Sequence, residues 1–413
     1  MKVLIKNIKE LLQVRDAQVD KIPGREMKKL PTIENAWLIM EDDVISDFGR
    51  MDDFNKDEND FTEVVDAKGK ILLPTWCDSH SHLVFAESRE EEFVNRINGL
   101  TYEEIAAKGG GILNSAEKLA EKPEEDLYED AKKRLDSLIK LGTGAIEIKS
   151  GYGLSTEAEL KMLRVIKRLK ENHKVPIKAT FLGAHAIPQS HKNKRDEYLK
   201  LILDEMLPKI VEEGLADYVD AFCEMNYFTP EETEKIMQAG AKHGLKAKIH
   251  VNQFNSIGGI QTCTKNSALS VDHLEVMSEE DLISMENSDT VATALPSCSF
   301  FLGIPYAPVK EMMERNICVA LASDFNPGST PSGNMNFVVS LACIKQKMTP
   351  EQAINAATLN GAFAMGISKT HGSIAKGKKA NLILTKEIPS YAFLPYSFGS
   401  NLIDKVFIDG KAI

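Results

Sequence analysis

The sequence has 413 residues, 43% of them hydrophobic, which is enough for one large domain and a smaller one with packed cores. Lysine and arginine number 50 against 61 aspartates and glutamates, so the formal net charge is −11. Nucleic acids and anionic membranes bind clustered cations, so this charge argues against both partners. A small-molecule substrate is the expectation.

The six cysteines are scattered along the chain without a Cys-x-x-Cys pair. This pattern argues against disulfides and against a zinc cluster built on thiolates. Residues 1–9 carry charges among their apolar side chains, and no apolar run approaches the length of a membrane span. We therefore predict a cytoplasmic protein.

The two ends of the chain share a pattern of short strands. Residues 1–70 contain strand-like segments and polar turns, and residues 371–413 return to short strands. Neither end has enough apolar residues to bury a core alone. We predict that the two ends pair into one small β-sandwich domain.

Between these ends, short apolar runs alternate with helical patterns. The predicted strands are residues 71–74, 145–148, 177–182, 218–222, 247–251, 268–271, 290–294 and 318–322. Thr229 with Glu232 and Thr349 with Gln352 form capping boxes at helix starts, and Thr156 precedes a further amphipathic stretch. Eight such units predict an α/β fold, a (β/α)8 TIM-type barrel over residues 71–370.

Histidines mark the ends of several predicted strands. His80 and His82 follow the first strand, and residues two apart on an extended backbone point the same way. Alone, this pair could equally be two unrelated loop residues. However, His250, His273 and Asp324 also stand at strand ends. Such barrels keep their active sites at the C-terminal ends of the strands, so we expect these side chains to meet.

Imidazoles with one carboxylate and no thiolate suit zinc or ferrous iron better than calcium or magnesium. An ion with a position left for water generates hydroxide near neutral pH and polarises the carbonyl under attack. Asp324 is then both a ligand and the acceptor of the proton of the water. A helix cap is the weaker interpretation of Asp324, because Asn326, Pro327 and Gly328 follow it.

The order of these residues, with the string GSIAKGKKAN at 372–381, resembles the amidohydrolase superfamily over nearly the whole chain. Residues 147–154 (EIKSGYGL), 183–185 (GAH) and 322–329 (ASDFNPGS) look like the imidazolonepropionase family in particular. The resemblance implies hydrolysis of the cyclic amide of 4-imidazolone-5-propanoate to N-formimidoyl-L-glutamate in histidine degradation. It also implies one zinc or iron ion (Fe2+ or Fe3+) per subunit, and a homodimer.

The resemblance assigns roles to individual positions. The implied metal ligands are His80, His82, His250 and Asp324. The implied substrate-binding residues are Arg89, Tyr152, His185, Gln253, Asn326, Gly328 and Ser329. The implied catalytic residues are Asp324, His273 and His185, with His273 a candidate for stabilising the developing oxyanion.

The chemistry of the residues supports a pocket at Arg89. A propanoate needs a cation, and a guanidinium binds carboxylates in bidentate fashion. The alternative is a solvated charge among the neighbouring glutamates. Tyr152 lies between glycines, which indicates an exposed loop residue, and Gly109-Gly110-Gly111 indicates a flexible flap over the site.

The sequence departs from the family pattern at Asn252, where relatives often carry Asp or Glu, and at Gln253, where some carry Glu. An amide cannot be a general base, so Gln253 is expected to orient the substrate. Proton transfer then falls to Asp324, with His185 or His273. Gln253 also argues against an aminohydrolase. A binuclear cyclic-amide hydrolase with a carbamylated Lys149, and a catalytically silent scaffold, remain alternatives.

Overall fold

The computed structural model describes residues 1–100, 104 and 110–413. Its strands are β1 (Lys2–Leu12), β2 (Thr32–Glu41), β3 (Val44–Arg50), β4 (Glu63–Asp66), β5 (Lys70–Pro74), β6 (Trp76–Asp78), β7 (Thr143–Lys149), β8 (Ile177–Ala184), β9 (Tyr218–Cys223), β10 (Lys246–Val251), β11 (Ser270–His273), β12 (Val291–Ala294), β13 (Val319–Leu321), β14 (Leu382–Glu387), β15 (Ile403–Ile408) and β16 (Lys411–Ala412).

The helices are α1 (Glu90–Ile97), α2 (Ile112–Glu121), α3 (Glu124–Lys140), α4 (Thr156–Asn172), α5 (Arg195–Leu201), α6 (Leu207–Glu212), α7 (Pro230–Lys242), α8 (Gly259–Lys265), α9 (Glu279–Glu286), α10 (Pro296–Leu302), α11 (Val309–Glu314), α12 (Met335–Ile344), α13 (Pro350–Asn355), α14 (Gly361–Ala364) and α15 (Phe393–Tyr396). Short π-helical turns at Ile202–Met206 and Ala356–Asn360 join α5 to α6 and α13 to α14. In the described ranges, no helix combines the length and the apolar character needed to cross a membrane.

Strands β6 to β13 form a parallel sheet in chain order. Two backbone hydrogen bonds bring its ends together: Asp324 N–H donates to His80 O at 2.9 Å, and His82 N–H donates to Phe325 O at 2.8 Å. Strands such as β7 are buried at every residue, as a parallel sheet covered by helices requires. The predicted (β/α)8 barrel is confirmed.

The prediction of the first barrel strand was wrong. Residues 71–74 belong to β5, which pairs with β1 and β14 in the other sheet, whereas the first barrel strand is the short β6. A short, fully apolar run fits a buried strand in either sheet, so its pattern could not distinguish them. His80 and His82 still follow a barrel strand directly.

The terminal segments build one mixed sheet in the order β16-β15-β14-β5-β1-β2-β3, with β4 also paired to β1. Strand β1 is antiparallel to β2 and parallel to β4 and β5. Leu11, Leu38, Leu72, Leu382 and Phe407 pack in its core. Both ends of the chain therefore pair into one β domain, as predicted, and this domain is built on a single mixed sheet.

The capping boxes at Thr229 and Thr349 are confirmed. Helix α4 differs from the prediction, because Ser155 rather than Thr156 caps it. Glu159 of this helix is buried and accepts hydrogen bonds from backbone N–H groups of the preceding loop, including Gly153 N at 2.7 Å. This carboxylate therefore fixes the loop that carries Tyr152.

Candidate active site

Four histidines and one aspartate meet at the C-terminal ends of the barrel strands. His80, His82, His250, His273 and Asp324 are each at most 3% exposed. The Nε2 atoms of His82 and His250 are 3.2 Å apart, and Asp324 Oδ1 lies 3.5 Å from His80 Nε2 and 3.6 Å from His82 Nε2. The structure thus brings together all five residues that the strand-end pattern singled out.

In three of these histidines, the ring nitrogen Nδ1 contacts a carboxylate. His80 Nδ1 lies 2.7 Å from Asp272 Oδ2, and His250 Nδ1 lies 2.8 Å from Asp220 Oδ2. His273 Nδ1 lies 3.3 Å from a carboxylate oxygen of Glu275. Such contacts fix the tautomer and the ring orientation of a metal-binding histidine.

These three carboxylates were not predicted from the sequence. The signal that could have found two of them is an aspartate inside an otherwise apolar barrel strand. Asp220 interrupts β9 (YVDAFC), and Asp272 lies in the short strand β11 (SVDH). A charge at such a position is buried and therefore needs a partner inside the barrel.

The donor atoms fit a metal ion. Nε2 of His80 is buried and has no hydrogen-bond partner among the described residues. Burial lowers the pKa of His80, His82 and His250 well below the usual value, so these imidazoles are neutral, the form that binds metals. His80, His82 and Asp324 present ligand atoms within 4.8 Å of one another.

Asp324 is presented by a tight turn rather than by a helix. Its φ is +53°, and Asn326 stabilises the turn by accepting hydrogen bonds from Gly328 N–H at 2.9 Å and Ser329 N–H at 2.7 Å. The hydroxyl of Thr330 donates to Asp324 Oδ2 at 3.2 Å. Burial raises the pKa of Asp324 to about 6, although the nearby His273 acts in the opposite direction.

A cavity opens beside these residues. Its polar lining includes Arg89, Tyr152, His185, Gln253, Asn326, Gly328 and Ser329. Its apolar lining includes Ile112, Phe222, Phe254 and Leu302. The structure therefore places every predicted substrate-binding residue around one cavity.

The side chain of Arg89 is largely shielded from solvent, which argues against the alternative of a solvated charge. Its side chain is 7% exposed, and Nη2 donates to Glu92 Oε2 at 2.6 Å. The guanidinium packs against Gly328, where a Cβ atom would lie 2.2 Å from Arg89 Nη1. Glycine at position 328 therefore leaves room for this guanidinium in the wall of the cavity.

The comparison with known proteins now identifies the family. A family model described as the amidohydrolase family matches residues 71–413. The imidazolonepropionases of Flavobacterium johnsoniae and Christiangramia forsetii are 62% and 61% identical to the chain over 413 residues, covering 100% of the chain and of each relative. The chain belongs to the imidazolonepropionases of the amidohydrolase family.

A solved structure gives an independent comparison of the fold. The atrazine chlorohydrolase of Arthrobacter aurescens, solved in complex with zinc, superposes with a TM-score of 0.70. The match covers 99% of this imidazolonepropionase and 94% of the other chain at 13% sequence identity. This similarity shows that the two proteins share the amidohydrolase fold.

Tyr152 of this imidazolonepropionase is buried, and the prediction of an exposed loop residue was wrong. It is 2% exposed, and its ring centroid lies 5.8 Å from that of His82 and 5.4 Å from that of His185. His185 Nδ1 lies 3.0 Å from the carbonyl oxygen of Gly151. Burial lowers the pKa of His185 to about 4, so it too is neutral.

The neighbouring amides Asn252 and Gln253 have different positions relative to the cavity. Gln253 lines the cavity, and its Nε2 lies 3.4 Å from Cys298 Sγ. Asn252 instead donates to the carbonyl oxygen of Val276 and to Asp281 Oδ2, each at 2.9 Å. Of these two amides, only Gln253 lines the cavity.

Lys149 is buried among carboxylates. Its Nζ lies 2.7 Å from Glu147, 2.9 Å from Asp220 and 3.6 Å from Asp272. Burial alone lowers the pKa of Lys149, but Asp220, Glu147 and Asp272 outweigh burial and raise it above the usual value. Carbamylation requires a neutral amine, so this environment argues against the binuclear alternative.

The predicted glycine flap lies partly outside the described residues, because Gly109 is among those not described. The described part of this run lies close to the cavity. Gly111 N–H donates to Glu92 Oε1 at 2.9 Å, and the next residue, Ile112, lines the cavity. The same glutamate thus contacts both Arg89 and the end of the glycine run.

Proposed function

We propose that the chain hydrolyses the cyclic amide bond of 4-imidazolone-5-propanoate to N-formimidoyl-L-glutamate in histidine degradation. Two observations carry this proposal. The chain is 61% identical to an imidazolonepropionase over its full length, and one cavity can receive both the cyclic amide and the propanoate of the substrate. The cluster of histidines and Asp324 lies where the cyclic amide would react. The largely buried guanidinium of Arg89 can pair with the carboxylate of the propanoate.

His80, His82, His250 and Asp324 would hold one zinc or iron ion. When bound, such an ion polarises the amide carbonyl and acidifies a water molecule. The neutral imidazoles support this ligand set, and so does Nε2 of His80, which has no hydrogen-bond partner among the described residues. The zinc in the atrazine chlorohydrolase structure supports zinc in a barrel of this kind, and metal analysis decides between zinc and iron.

Proton transfer is proposed for the side chains that face the reacting amide. Asp324, oriented by Thr330, accepts the proton from the attacking water. His273, held by Glu275, donates a hydrogen bond to the developing oxyanion. His185 contacts the rings of both His82 and Tyr152, and we infer that it relays the proton taken up by Asp324 to the departing nitrogen.

The remaining cavity residues orient the substrate. Arg89 binds the propanoate, while the amide of Gln253, the hydroxyls of Tyr152 and Ser329 and the backbone of Gly328 hold the imidazolone ring. Both ends of the Asn326 amide are engaged in the turn after Asp324, so we expect Asn326 to act by shaping this wall.

The test is incubation of the purified, metal-loaded chain with 4-imidazolone-5-propanoate, followed by mass spectrometry of the product. We expect N-formimidoyl-L-glutamate, the ring-opened hydrate, to form without release of ammonia. Release of ammonia from the ring would instead indicate aminohydrolase chemistry. Absence of any product from the metal-loaded protein would contradict the proposal.

We also propose a cytoplasmic homodimer. The six free cysteines support a reducing compartment.

Exposed aromatic side chains support the dimer. Phe93 stacks on Phe301 at a centroid distance of 5.3 Å, and the ring centroid of Phe300 lies 5.5 Å from that of Phe337. Phe93 is 41% exposed and Phe300 is 51% exposed. An exposed aromatic surface of this kind supports contact with a second copy. Light scattering of the purified chain should give twice the mass of the monomer.

A further inference from the structure

A group of charged side chains lies buried inside the barrel beside the histidines. The group consists of Glu147 and Lys149 of β7, Asp220 of β9, Lys248 of β10 and Asp272 of β11, each at most 1% exposed. Buried charges persist in folded proteins only when they are paired. The arrangement of these pairs indicates what each cation does.

Lys149 connects the two aspartates of this group. Its Nζ lies 2.9 Å from Asp220 Oδ2 and 3.6 Å from Asp272 Oδ2. The same oxygen of Asp220 lies 2.8 Å from His250 Nδ1, and the same oxygen of Asp272 lies 2.7 Å from His80 Nδ1. Each oxygen therefore contacts Lys149 and one of the two histidines.

We propose that Lys149 is a positioning residue for the metal centre, a role that rests on the ligand set of the proposed function. By pairing with Asp220 and Asp272, the ammonium holds both carboxylates where they orient His250 and His80. Without it, two like charges share a buried space and repel each other. The carboxylates then shift, and the two imidazoles lose the contacts that fix their orientation.

Lys248 has a different role in the same group. Its Nζ lies 3.1 Å from Glu147 Oε2 but 3.9 Å from Asp272 Oδ2, and it donates to Ser270 Oγ at 2.7 Å and to the carbonyl oxygen of Ala364 at 3.1 Å. Of the two aspartates that contact histidines, Lys248 therefore reaches only Asp272, and at 3.9 Å it lies farther from it than Lys149 does at 3.6 Å. Loss of Lys248 should weaken metal binding less than loss of Lys149.

The test measures zinc affinity rather than activity. The full chain, stripped of metal, is titrated with zinc against a chelator of known affinity, as wild type and as Lys149→Met. The control is Lys378→Met. Lys378 is also buried, at 1% exposed, but it donates to Ser368 O at 2.6 Å and Ser373 Oγ at 2.8 Å rather than to any aspartate of the group.

We expect Lys149→Met to raise the zinc dissociation constant by roughly 10- to 100-fold, the range for losing an outer partner of a metal-binding histidine. Lys378→Met should lower the thermal midpoint of the metal-free protein while leaving zinc affinity at the wild-type value. Lys248→Met should fall between them. Unchanged zinc affinity in Lys149→Met, or an equal loss in Lys378→Met, would overturn the proposal.

Lys149→Gln provides a second variant in case Lys149→Met does not fold, because it keeps a hydrogen-bond donor of similar length without the charge. The same loss of zinc affinity is expected, and wild-type affinity would overturn the proposal. Failure of the proposed function is distinguishable, since it would appear in the wild type as zinc binding without hydrolysis of 4-imidazolone-5-propanoate.

Discussion

Arg89→Ala removes the cation proposed to bind the propanoate. The Arg89 side chain is 7% exposed, so a carboxylate bound to it is largely shielded from water. Glu92 already accepts from Nη2 at 2.6 Å. A guanidinium has five N–H donors, so Arg89 can serve Glu92 and the substrate together.

The size of the effect follows from this burial. Losing one partner of a largely desolvated charge pair costs roughly 2 to 4 kcal/mol. At about 1.4 kcal/mol per tenfold, this corresponds to a decrease of roughly 30- to 700-fold in kcat/KM. We expect the upper part of this range, because Glu92 would remain beside the substrate carboxylate and repel it.

The assay compares kcat/KM for the acid with that for an uncharged propanamide analogue. The wild type and Arg89→Ala should hydrolyse the amide analogue at similarly slow rates, because it offers the guanidinium no charge. The double variant Arg89→Ala/Glu92→Gln should recover part of the loss by removing the repulsion. Arg164→Ala, which breaks an exposed pair with Glu213, is the control and should leave kcat/KM unchanged.

Two results would refute this reasoning. Normal turnover of the acid by Arg89→Ala would show that another group binds the carboxylate. An equal loss for the acid and the amide analogue would show that Arg89 supports the structure of the cavity rather than recognising charge.

Asp324→Asn should abolish turnover, because the ion loses its anionic ligand and the attacking water loses its proton acceptor. The circular dichroism spectrum should stay that of a folded barrel. A kcat above roughly a tenth of the wild-type value would contradict this role. Gln253→Glu should not raise kcat, since this position orients the substrate, and a clear gain would show that a missing base limits the enzyme. Only the carboxylate form of Asp324 can bind the ion and accept a proton, and burial raises its pKa to about 6. A bound cation favours that form, so kcat/KM should fall with decreasing pH at or below about 6; a rise between pH 7 and 5 would contradict the assignment.

The proposed metal ligands could be picked out from the sequence because they lie at strand ends. His80, His82, His250 and Asp324 each follow or end an apolar run, and the barrel brings such positions together whatever the length of the connections. The proposed substrate-binding residues were assigned through the resemblance to the imidazolonepropionase family, since no periodicity marks Gln253.

The carboxylates that hold the histidines could not be assigned in this way. Asp272 lies 192 positions from His80, and Asp220 lies 30 positions from His250. These contacts form only because the barrel brings the strands that carry them close together, and the spacing in the sequence does not show this. The burial of Tyr152 was missed for a similar reason. Its loop is held inward by Glu159, whose spacing in the sequence indicates only a helix start.

The most direct test of the central claim is metal analysis of the freshly purified chain, coupled to the assay with 4-imidazolone-5-propanoate. We expect about one zinc or iron ion per chain. A chelator should abolish the formation of N-formimidoyl-L-glutamate, and re-addition of the same metal should restore it. Undiminished turnover by the metal-free protein would contradict the account, and close to two ions per chain would favour the binuclear alternative.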